Sequence, residues 1–260
     1  GTGGGLGNQS GLVLTSDGDW LLAVNAASAE VSLFEVQDDV LVLRDIVPSG
    51  GLMPLSIAVH QQTVYVLNGG GTAEQPDNIT GFRLWEDGGL LIPMENSTRT
   101  LSADSVGPAQ VGFNPWGSVL AVTEKATNTI TTFTVAPDGL PSTGQPQASN
   151  GPTPFGFAFD RWGRLIVSEA AGGAPDASTV SSYNVNGGGM LSVITASAPT
   201  MQTAACWIAL DRFGRHAYTT NTGSGSISGF AVSFSGALTL LDDDGVTAST
   251  GPGSAPIDMA

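Results

Sequence analysis

Short apolar segments recur along the whole chain, and Gly, Asp, Asn or Pro residues separate each one from the next. Segments such as "WLLAVN" and "TVYVLN" are rich in β-branched and aromatic residues. This pattern is typical of short β-strands joined by tight turns. The 36 glycines, with abundant Thr, Ser and Val, support the same interpretation. We therefore expect an all-β fold with almost no helix.

Five of the segments share one register, in which a β-branched residue and small residues precede an aromatic residue. They read "VSLFEV", "ITGFRL", "ITTFTV", "VSSYNV" and "ISGFAV", and their aromatic residues are Phe34, Phe82, Phe133, Tyr183 and Phe230. Successive aromatics are 48, 51, 50 and 47 residues apart. A repeat of this length is typical of the blades of a β-propeller.

Each aromatic strand lies within a larger repeated unit. A hairpin precedes it, and a polar turn with a fourth apolar strand follows it in most repeats, so one repeat makes a four-stranded blade. We predict a single β-propeller domain over residues 1–260, with complete blades at about 9–48, 52–104, 107–150, 153–200 and 203–250. The last segment, "GSAPIDMA", predicts the first strand of a sixth blade beginning near residue 254.

A propeller normally closes by pairing its ends, because an open ring exposes sheet faces and edges that promote association. We therefore expect the chain to be a fragment of a longer protein, or to obtain its missing blades from another segment. The exposed sheet edges would then favour self-association of the chain or its pairing with the missing blades.

Charge and cysteine content narrow the classes of partner. A formal net charge of −15, from 8 basic and 23 acidic residues, argues against a nucleic-acid backbone or an anionic membrane as partner. The single cysteine, Cys206, excludes an internal disulfide framework and a cysteine-based zinc cluster.

The chain contains no apolar run of 18 residues, so we predict no membrane-spanning helix. Three Asn-x-Ser/Thr sequons, beginning at Asn8, Asn78 and Asn96, favour secretion, although they do not fix the compartment.

Two long repeats, "GPAQVGFNPWGSVLAVTEKATNTITTF" and "TPFGFAFDRWGRLIVSEA", resemble those of the lactonase family of seven-bladed propellers. That family includes bacterial phosphogluconolactonases and fungal carboxymuconate cyclases, and the resemblance covers the whole chain. It implies that the five blades belong to a seven-bladed ring with a small-molecule site. It also implies that the reaction is lactone hydrolysis or lactonisation.

The ends of certain strands are the expected place for such a site. In a propeller blade the innermost strand starts, and the second strand ends, at one face, since the two form an antiparallel hairpin. The second-strand ends are Asn25, Asn68, Glu124 with Lys125, Glu169 and Asn221. The starts of the innermost strands are predicted at Gly11, Ser56, Gln110, Gly156, Trp207 and Asp258.

Lys125 is the only lysine of the chain and directly follows Glu124. We predict that its partly desolvated ammonium binds a carboxylate or carbonyl oxygen, while Glu124 or Glu169 transfers a proton or activates water. These three residues are the predicted catalytic groups. The other predicted ligand-binding residues are Gln110, Asn68, Asn221, Trp207 and Asp258.

Enzymes of the lactonase family carry a Pro-Arg-His run at the start of an inner strand and Asn-Glu-Leu at the end of a second strand. In this chain only Glu169 aligns with the family's acid. The Arg-His positions read Leu55-Ser56, Ala109-Gln110, Phe155-Gly156, Cys206-Trp207 and Ile257-Asp258. A phosphate needs arginine or lysine partners, and the predicted rim offers Lys125 alone, so a phosphosugar substrate is disfavoured.

Structural alternatives exist for every one of these residues. Glu124 and Lys125 can be adjacent strand-end residues that point in opposite directions, and the asparagines can cap turns. We predict no cofactor; the alternative is calcium held by Glu124, Glu169, Asn68 and Asp258. The alternative function is a non-catalytic binding or assembly propeller, with "GGGTAEQPDN" and "AAGGAPDAS" as recognition loops.

Several other residues are predicted to be structural. His60 and His216 lie at the opposite ends of their strands from the predicted rim, in or near turns. Trp116, Trp162 and Phe213 each precede a turn glycine. We expect them to pack against the turns, with sugar or protein binding as the alternative. Cys206 is expected to pack near the channel.

Overall fold

The computed structural model describes residues 9–38, 40–251, 253–257 and 259. These residues form 22 β-strands and two 3-10 helices, which span Glu86–Gly88 and Ala171–Gly173. Neither helix is long and apolar enough to cross a membrane. The expectation of an all-β chain with almost no helix is confirmed.

The strands form five sheets in which neighbours in sequence are also neighbours in space. The first sheet contains β1 (Leu12–Leu14), β2 (Trp20–Asn25), β3 (Glu30–Gln37) and β4 (Val40–Pro48). The second contains β5 (Met53–His60), β6 (Thr63–Gly69), β7 (Asn78–Trp85) and β8 (Leu90–Pro93), with β9 (Arg99–Thr100) paired to β7. The third contains β10 (Pro108–Phe113), β11 (Val119–Glu124), β12 (Thr129–Thr134) and β13 (Gln145–Ala148).

The remaining two sheets repeat this plan. The fourth contains β14 (Pro154–Phe159), β15 (Leu165–Glu169), β16 (Thr179–Val185) and β17 (Leu191–Pro199). The fifth contains β18 (Ala205–Leu210), β19 (His216–Asn221), β20 (Ser226–Val232) and β21 (Leu238–Leu240), with β22 (Ala248–Ser249) paired to β20. Successive four-stranded antiparallel sheets of this kind are the blades of a β-propeller, so the predicted fold class is confirmed.

The predicted start of a sixth blade falls near the last residues. The described residues 253–257 form no strand. Asp258, which the sequence places at a strand start, lies outside the described residues.

The described residues divide into two compact units. One runs to Phe113 and includes Gly117–Val122 and Thr131–Pro146, whereas the other comprises Asn114–Trp116, Thr123–Ile130 and the residues from Gln147 onward. Two apolar clusters form the core of the first unit. The first cluster holds Trp20, Leu22, Val31, Leu33, Ile57, Val64, Val66, Phe82, Leu84 and Leu91. The second holds Ala58, Tyr65, Leu67, Ile79, Leu101, Val106, Val111, Leu120, Val122 and Phe133.

A third apolar cluster forms the core of the second unit. It contains Ile166, Val180, Ile208, Ala217, Phe230, Val232 and Leu238. These residues come from the fourth and fifth sheets, so the two blades pack on each other through their alternating apolar faces. Of the repeated aromatic residues, Phe82, Phe133, Tyr183 and Phe230 are buried and Phe34 is half-buried.

The inner strands begin earlier than the sequence predicts in four blades. They start at Met53, Pro108, Pro154 and Ala205, two or three residues before the predicted positions. The strand register explains the difference in three of these blades, because pairing with the second strand shifts after Pro54, Pro154 and Ala205. Such bulges add unpaired residues to one strand and redirect their side chains. In the fourth and fifth blades the shifts span Phe155-Gly156 and Cys206-Trp207.

Candidate functional site at the strand ends

The polar residues at the ends of the second strands share one structural setting. Asn68, Glu124, Glu169 and Asn221 are all buried, and Asn25 is half-buried. In four of the five blades this residue pairs with the first residue of the third strand. The pairs are Asn25 and Glu30, Asn68 and Asn78, Glu169 and Thr179, and Asn221 and Ser226.

Both oxygens of the Glu169 carboxylate accept hydrogen bonds from the protein. One oxygen, Oε1, accepts from the backbone N–H of Gly151 at 2.7 Å and from the Ser149 hydroxyl at 3.2 Å. The other, Oε2, accepts from the hydroxyl of Thr179. The side chain is 0 % exposed, and a Cβ added to Gly151 would lie 2.6 Å from its carboxyl carbon. Glu169 therefore joins the connector between the third and fourth blades to β16.

Asn68 makes the equivalent link in the second blade. Its Nδ2 donates to the carbonyl oxygen of Ser49 at 3.1 Å and to Oδ1 of Asn78 at 3.0 Å. Ser49 precedes the second blade as Ser149 precedes the fourth. A Cβ on Gly51 would lie 2.5 Å from Cγ of Asn68. These contacts match the capping alternative considered from the sequence.

Asn221 bonds to side chains rather than to backbone. Its Nδ2 donates to the hydroxyls of Ser226 and Ser228, at 3.1 and 2.8 Å, both on the third strand of its own blade. Asn25 likewise donates to Ser32 at 2.8 Å. Asn221 thus ties the end of β19 to β20, as a strand-end cap would. Its Oδ1 and that of Asn68 are buried and have no hydrogen-bond partner within the described part of the chain.

Glu124 and Lys125 are adjacent but lie in different surroundings. Glu124 is 0 % exposed, and its Oε2 accepts a hydrogen bond from the Thr127 hydroxyl at 2.9 Å, in the turn after β11. Lys125 is half-buried, and its Nζ lies 4.8 Å from the centroid of the Phe155 ring. The ammonium and the ring face thus form a cation–π contact.

The surroundings of the Lys125 ammonium come from the inner-strand bulges of the next two blades. Phe155 lies in the bulge of β14 and Cys206 in that of β18. Both bulges are fixed by hydroxyls of second strands, since Thr123 donates to the carbonyl of Phe155 and Ser168 to that of Cys206, each at 2.5 Å. We call Lys125, Phe155 and Cys206 the Lys125 site.

Burial determines the protonation behaviour of the Lys125 site. Burial lowers the pKa of Lys125 below its ordinary value, with the electrostatic effect of Cys206 in the opposite direction. Burial raises the pKa of the Cys206 thiol, opposed by the hydrogen bond that Thr222 donates at 3.1 Å and by the charge of Lys125. The Lys125 amino group therefore lies beside an aromatic ring and a thiol whose protonated form burial favours.

The other predicted ligand residues are placed as follows. Gln110 is buried within β10. Trp207 is half-buried in the bulge of β18, where its backbone N–H donates to the Thr220 hydroxyl at 3.1 Å. Asp258 lies outside the described residues. Among the residues that the structure describes, no three His, Cys, Asp or Glu side chains are grouped to hold a metal ion.

The two histidines lie at the turn ends of their strands. His60 ends β5, and its ring covers Gly117, where an added Cβ would lie 2.5 Å from Nε2. His216 begins β19, and its Nδ1 is 2.8 Å from a carboxylate oxygen of Asp211. Both placements agree with the turn positions read from the sequence.

No protein-family model matches the sequence, and no curated protein matches it. Solved structures do match. A candidate 6-phosphogluconolactonase from Bacteroides uniformis has a TM-score of 0.71 at 21% identity, covering 89% of this chain and 70% of that one. The periplasmic gluconolactonase of Pseudomonas aeruginosa has a TM-score of 0.69 at 16% identity, covering 95% and 71%. The fold is that of a lactonase-like β-propeller.

A functionally unknown protein from Desulfotomaculum acetoxidans is similar to the same degree. Its TM-score is 0.70 at 16% identity, covering 90% of this chain and 68% of that one. Likeness at this level of identity establishes the lactonase-like fold and not the reaction, because one fold hosts many activities. The chemistry must therefore be argued from the side chains of this propeller.

The contacts of Lys125 were not predicted from the sequence. Phe155-Gly156 and Cys206-Trp207 occupy positions where enzymes of the lactonase family are expected to carry Arg-His, which marked them only as departures. The available signal was that they are hydrophobic or weakly polar residues at the inner-strand starts of the two blades that follow the lysine. The bulges that bring these residues to the ammonium leave no distinct mark in the sequence.

Proposed function

We propose that this lactonase-like propeller binds a small oxygen-rich carboxylate, ester or lactone at the Lys125 site. The supporting observation is the half-buried ammonium of Lys125 over the Phe155 ring. An ammonium that is partly removed from water attracts a carboxylate or a polarised carbonyl more strongly than a solvated one does. The Phe155 ring and the Cys206 thiol add apolar and weakly polar surface beside the ammonium, against which the rest of such a ligand can pack.

The reaction that we propose for this site is hydrolysis or formation of a lactone. Lys125 would polarise the carbonyl and stabilise the negative charge that develops on its oxygen. Glu124, the residue before Lys125 in the sequence, is the acid/base candidate, and Thr127 orients its carboxylate. Glu169 is better suited to hold the blade connector, since both of its oxygens already accept hydrogen bonds. Asn68 and Asn221 are proposed to position strands in the same way.

The test measures hydrolysis of glucono-δ-lactone and muconolactone by pH-stat titration. Each lactone is assayed with added calcium and with a chelator. Lys125→Ala should lower kcat/KM at least tenfold because it removes the carbonyl-binding charge. Lys125→Arg should retain part of the activity, since it keeps a cation. Arg44→Ala is the matched control, because Arg44 is a cation that pairs with Glu35 on the surface. Unchanged kinetics in Lys125→Ala would reject this role.

The second candidate is a non-catalytic propeller that binds the same kind of ligand. It is favoured by the internal hydrogen bonds of Glu169. It is also favoured by Phe155-Gly156 and Cys206-Trp207 at positions where the family's enzymes are expected to carry Arg-His. Isothermal titration with gluconate separates the two. Binding that needs Lys125, without lactone turnover, supports the binding protein. Absence of both binding and turnover contradicts a ligand at the Lys125 site.

A further inference from the structure

Two turns of the second compact unit share an arginine-rich sequence that the other blades lack. The β14–β15 turn reads "DRWGR" from Asp160 to Arg164, and the β18–β19 turn reads "DRFGR" from Asp211 to Arg215. The corresponding turn of the third blade, residues 114–118, reads "NPWGS". The two turns therefore hold four of the seven arginines of the chain, although its net charge is −15.

The aspartate that opens each turn is used to shape it. In the first turn, Oδ1 of Asp160 accepts from the backbone N–H groups of Trp162 and Arg164, both at 2.9 Å. In the second, Oδ1 of Asp211 accepts from those of Phe213 and Arg215, at 3.1 and 2.8 Å. Hydrogen bonds of this kind fix turns. The aromatic residue and the arginines are consequently held in the same arrangement twice.

The arginines of the first turn stack against its tryptophan. The guanidinium carbon of Arg161 lies 4.0 Å from the Trp162 ring centroid, and that of Arg164 lies 4.8 Å from it. In the second turn, Arg212 lies 4.8 Å and Arg215 6.0 Å from the ring of Phe213. A stacked guanidinium keeps its N–H edge available for an anion, and stacking lowers the entropy that it loses on binding.

Three of these arginines are exposed and are not neutralised. Arg161, Arg212 and Arg215 form no ion pair with any acid in the described part of the chain. Arg164 is buried and pairs with Asp160 at 2.6 Å. The four arginines and the two turn aspartates together carry a formal excess of two positive charges. In an acidic protein such a local excess attracts anions to one place.

A cavity of about 390 Å³ lies among these groups. Its lining includes Arg161, Trp162, Arg215, His216 and Phe234, and we call it the turn cleft. Phe234 comes from the turn after β20, is 88 % exposed, and meets the Trp162 ring nearly edge-on with centroids 6.0 Å apart. A cavity of this size suits a small molecule, since ligand pockets begin at about 300 Å³.

Arg164 anchors the Phe234 side of the turn cleft. Its Nη1 donates to the carbonyl of Phe234 at 2.7 Å, and its Nε donates to Asp160. Its Nη2 is buried without a hydrogen-bond partner among the described residues. Arg164 does not itself line the turn cleft, so its part there is to hold the backbone of Phe234 in place.

We propose that the turn cleft binds a small organic oxyanion, a carboxylate or phosphate ester carried on an aromatic or apolar body. The anion lies against the guanidinium groups of Arg161 and Arg215, which recognise carboxylate and phosphate through paired N–H donors. The body packs on Trp162 and the exposed face of Phe234. His216 is held by Asp211 and contributes a wall of the cleft. This site is separate from the Lys125 site and uses none of its residues.

The proposal is tested by isothermal titration and tryptophan fluorescence with four probes. Phenyl phosphate and phenylacetate carry both the anion and the ring, inorganic phosphate carries the anion alone, and benzyl alcohol carries the ring without the charge. The first two should bind, phosphate should bind at least tenfold more weakly than phenyl phosphate, and benzyl alcohol should not bind. Raising the salt concentration should weaken binding, because the attraction is partly electrostatic.

Variants assign the binding to the turn cleft. Arg161→Gln and Arg215→Gln should each weaken phenyl phosphate binding about tenfold or more, since each removes a charge-assisted donor pair. Arg44→Gln removes an arginine elsewhere and should leave the affinity unchanged. No binding of either aromatic anion to the wild-type protein would overturn the proposal. Binding that is lost in Lys125→Ala and kept in both cleft variants would also overturn it.

Discussion

The carboxylate of Glu169 is expected to contribute to stability rather than to chemistry, and two substitutions separate these roles. In Glu169→Ala the buried N–H of Gly151 loses its acceptor, which costs about 1–3 kcal/mol. Ser149 and Thr179 lose theirs as well, although their hydroxyls can turn. With the space left by the side chain, we expect a loss of about 3 kcal/mol in the free energy of unfolding.

Glu169→Gln should be milder, because an amide keeps an oxygen for Gly151 and Ser149 and can donate to the Thr179 hydroxyl. It loses the charge that strengthens these bonds, so we expect a cost of about 1–2 kcal/mol. The Tyr183 phenol provides a second readout: burial and then the charge of Glu169 raise its pKa. In the glutamine variant that pKa should fall, as ultraviolet titration of the tyrosines would show.

The assay is thermal and denaturant unfolding of both variants, beside Glu95→Gln as an exposed control. For a domain of this size, about 1 kcal/mol corresponds to a Tm shift of roughly 2–4 °C. We expect Glu95→Gln to lose the least stability, Glu169→Gln to lose more, and Glu169→Ala to lose the most. Unfolding midpoints equal to the control, combined with lost lactone turnover, would refute the structural role and restore Glu169 as the acid/base group.

Three further predictions concern other residues. Gly117 has φ +69° and an added Cβ would lie 2.5 Å from Nε2 of His60, so Gly117→Ala should lower the unfolding free energy by about 1–3 kcal/mol in denaturant titration. Tyr65→Phe removes the buried hydroxyl that donates to the Gly139 carbonyl at 2.7 Å and should cost about 1–2 kcal/mol by the same measurement; an unchanged midpoint would contradict it. Burial lowers the pKa of Lys125 from its ordinary 10.5, so the unfolded chain holds that proton more tightly and wild-type stability should rise with pH between the two pKa values. Lys125→Met should therefore be at least as stable as the wild type at pH 7, with the difference closing towards pH 10.5 in unfolding curves.

The blade architecture could be predicted because its signals are local and repeated. The aromatic residue of each third strand marks the register, and turn residues such as Trp116-Gly117 mark the hairpins. The inner-strand starts were misplaced because counting back from a turn assumes an unbroken ladder. The bulges after Pro54, Pro154 and Ala205 break this assumption.

Burial changes the meaning of several polar residues that the sequence singled out. Asn78 fits a glycosylation sequon, but it is buried and its side chain bonds to Asn68, which leaves no room for a glycan. Trp116 was expected to pack on a turn. It does so on the next blade's turn glycine, Gly163, where an added Cβ would lie 2.6 Å from Cη2 of its ring and still closer to Cζ3. Such partners are distant in sequence and leave no periodic signal.

In a repeat protein, function is best sought where one blade departs from the others. The residue after the strand-end position is Ala26, Gly69, Lys125, Ala170 and Thr222 in the five blades. Alanine at this place is thus compatible with the blade in two repeats, so Lys125→Ala should fold normally. Any lost activity then belongs to the ammonium itself. The strand-end carboxylate of Glu169 allows no such inference, because the blade uses it for its own hydrogen bonds.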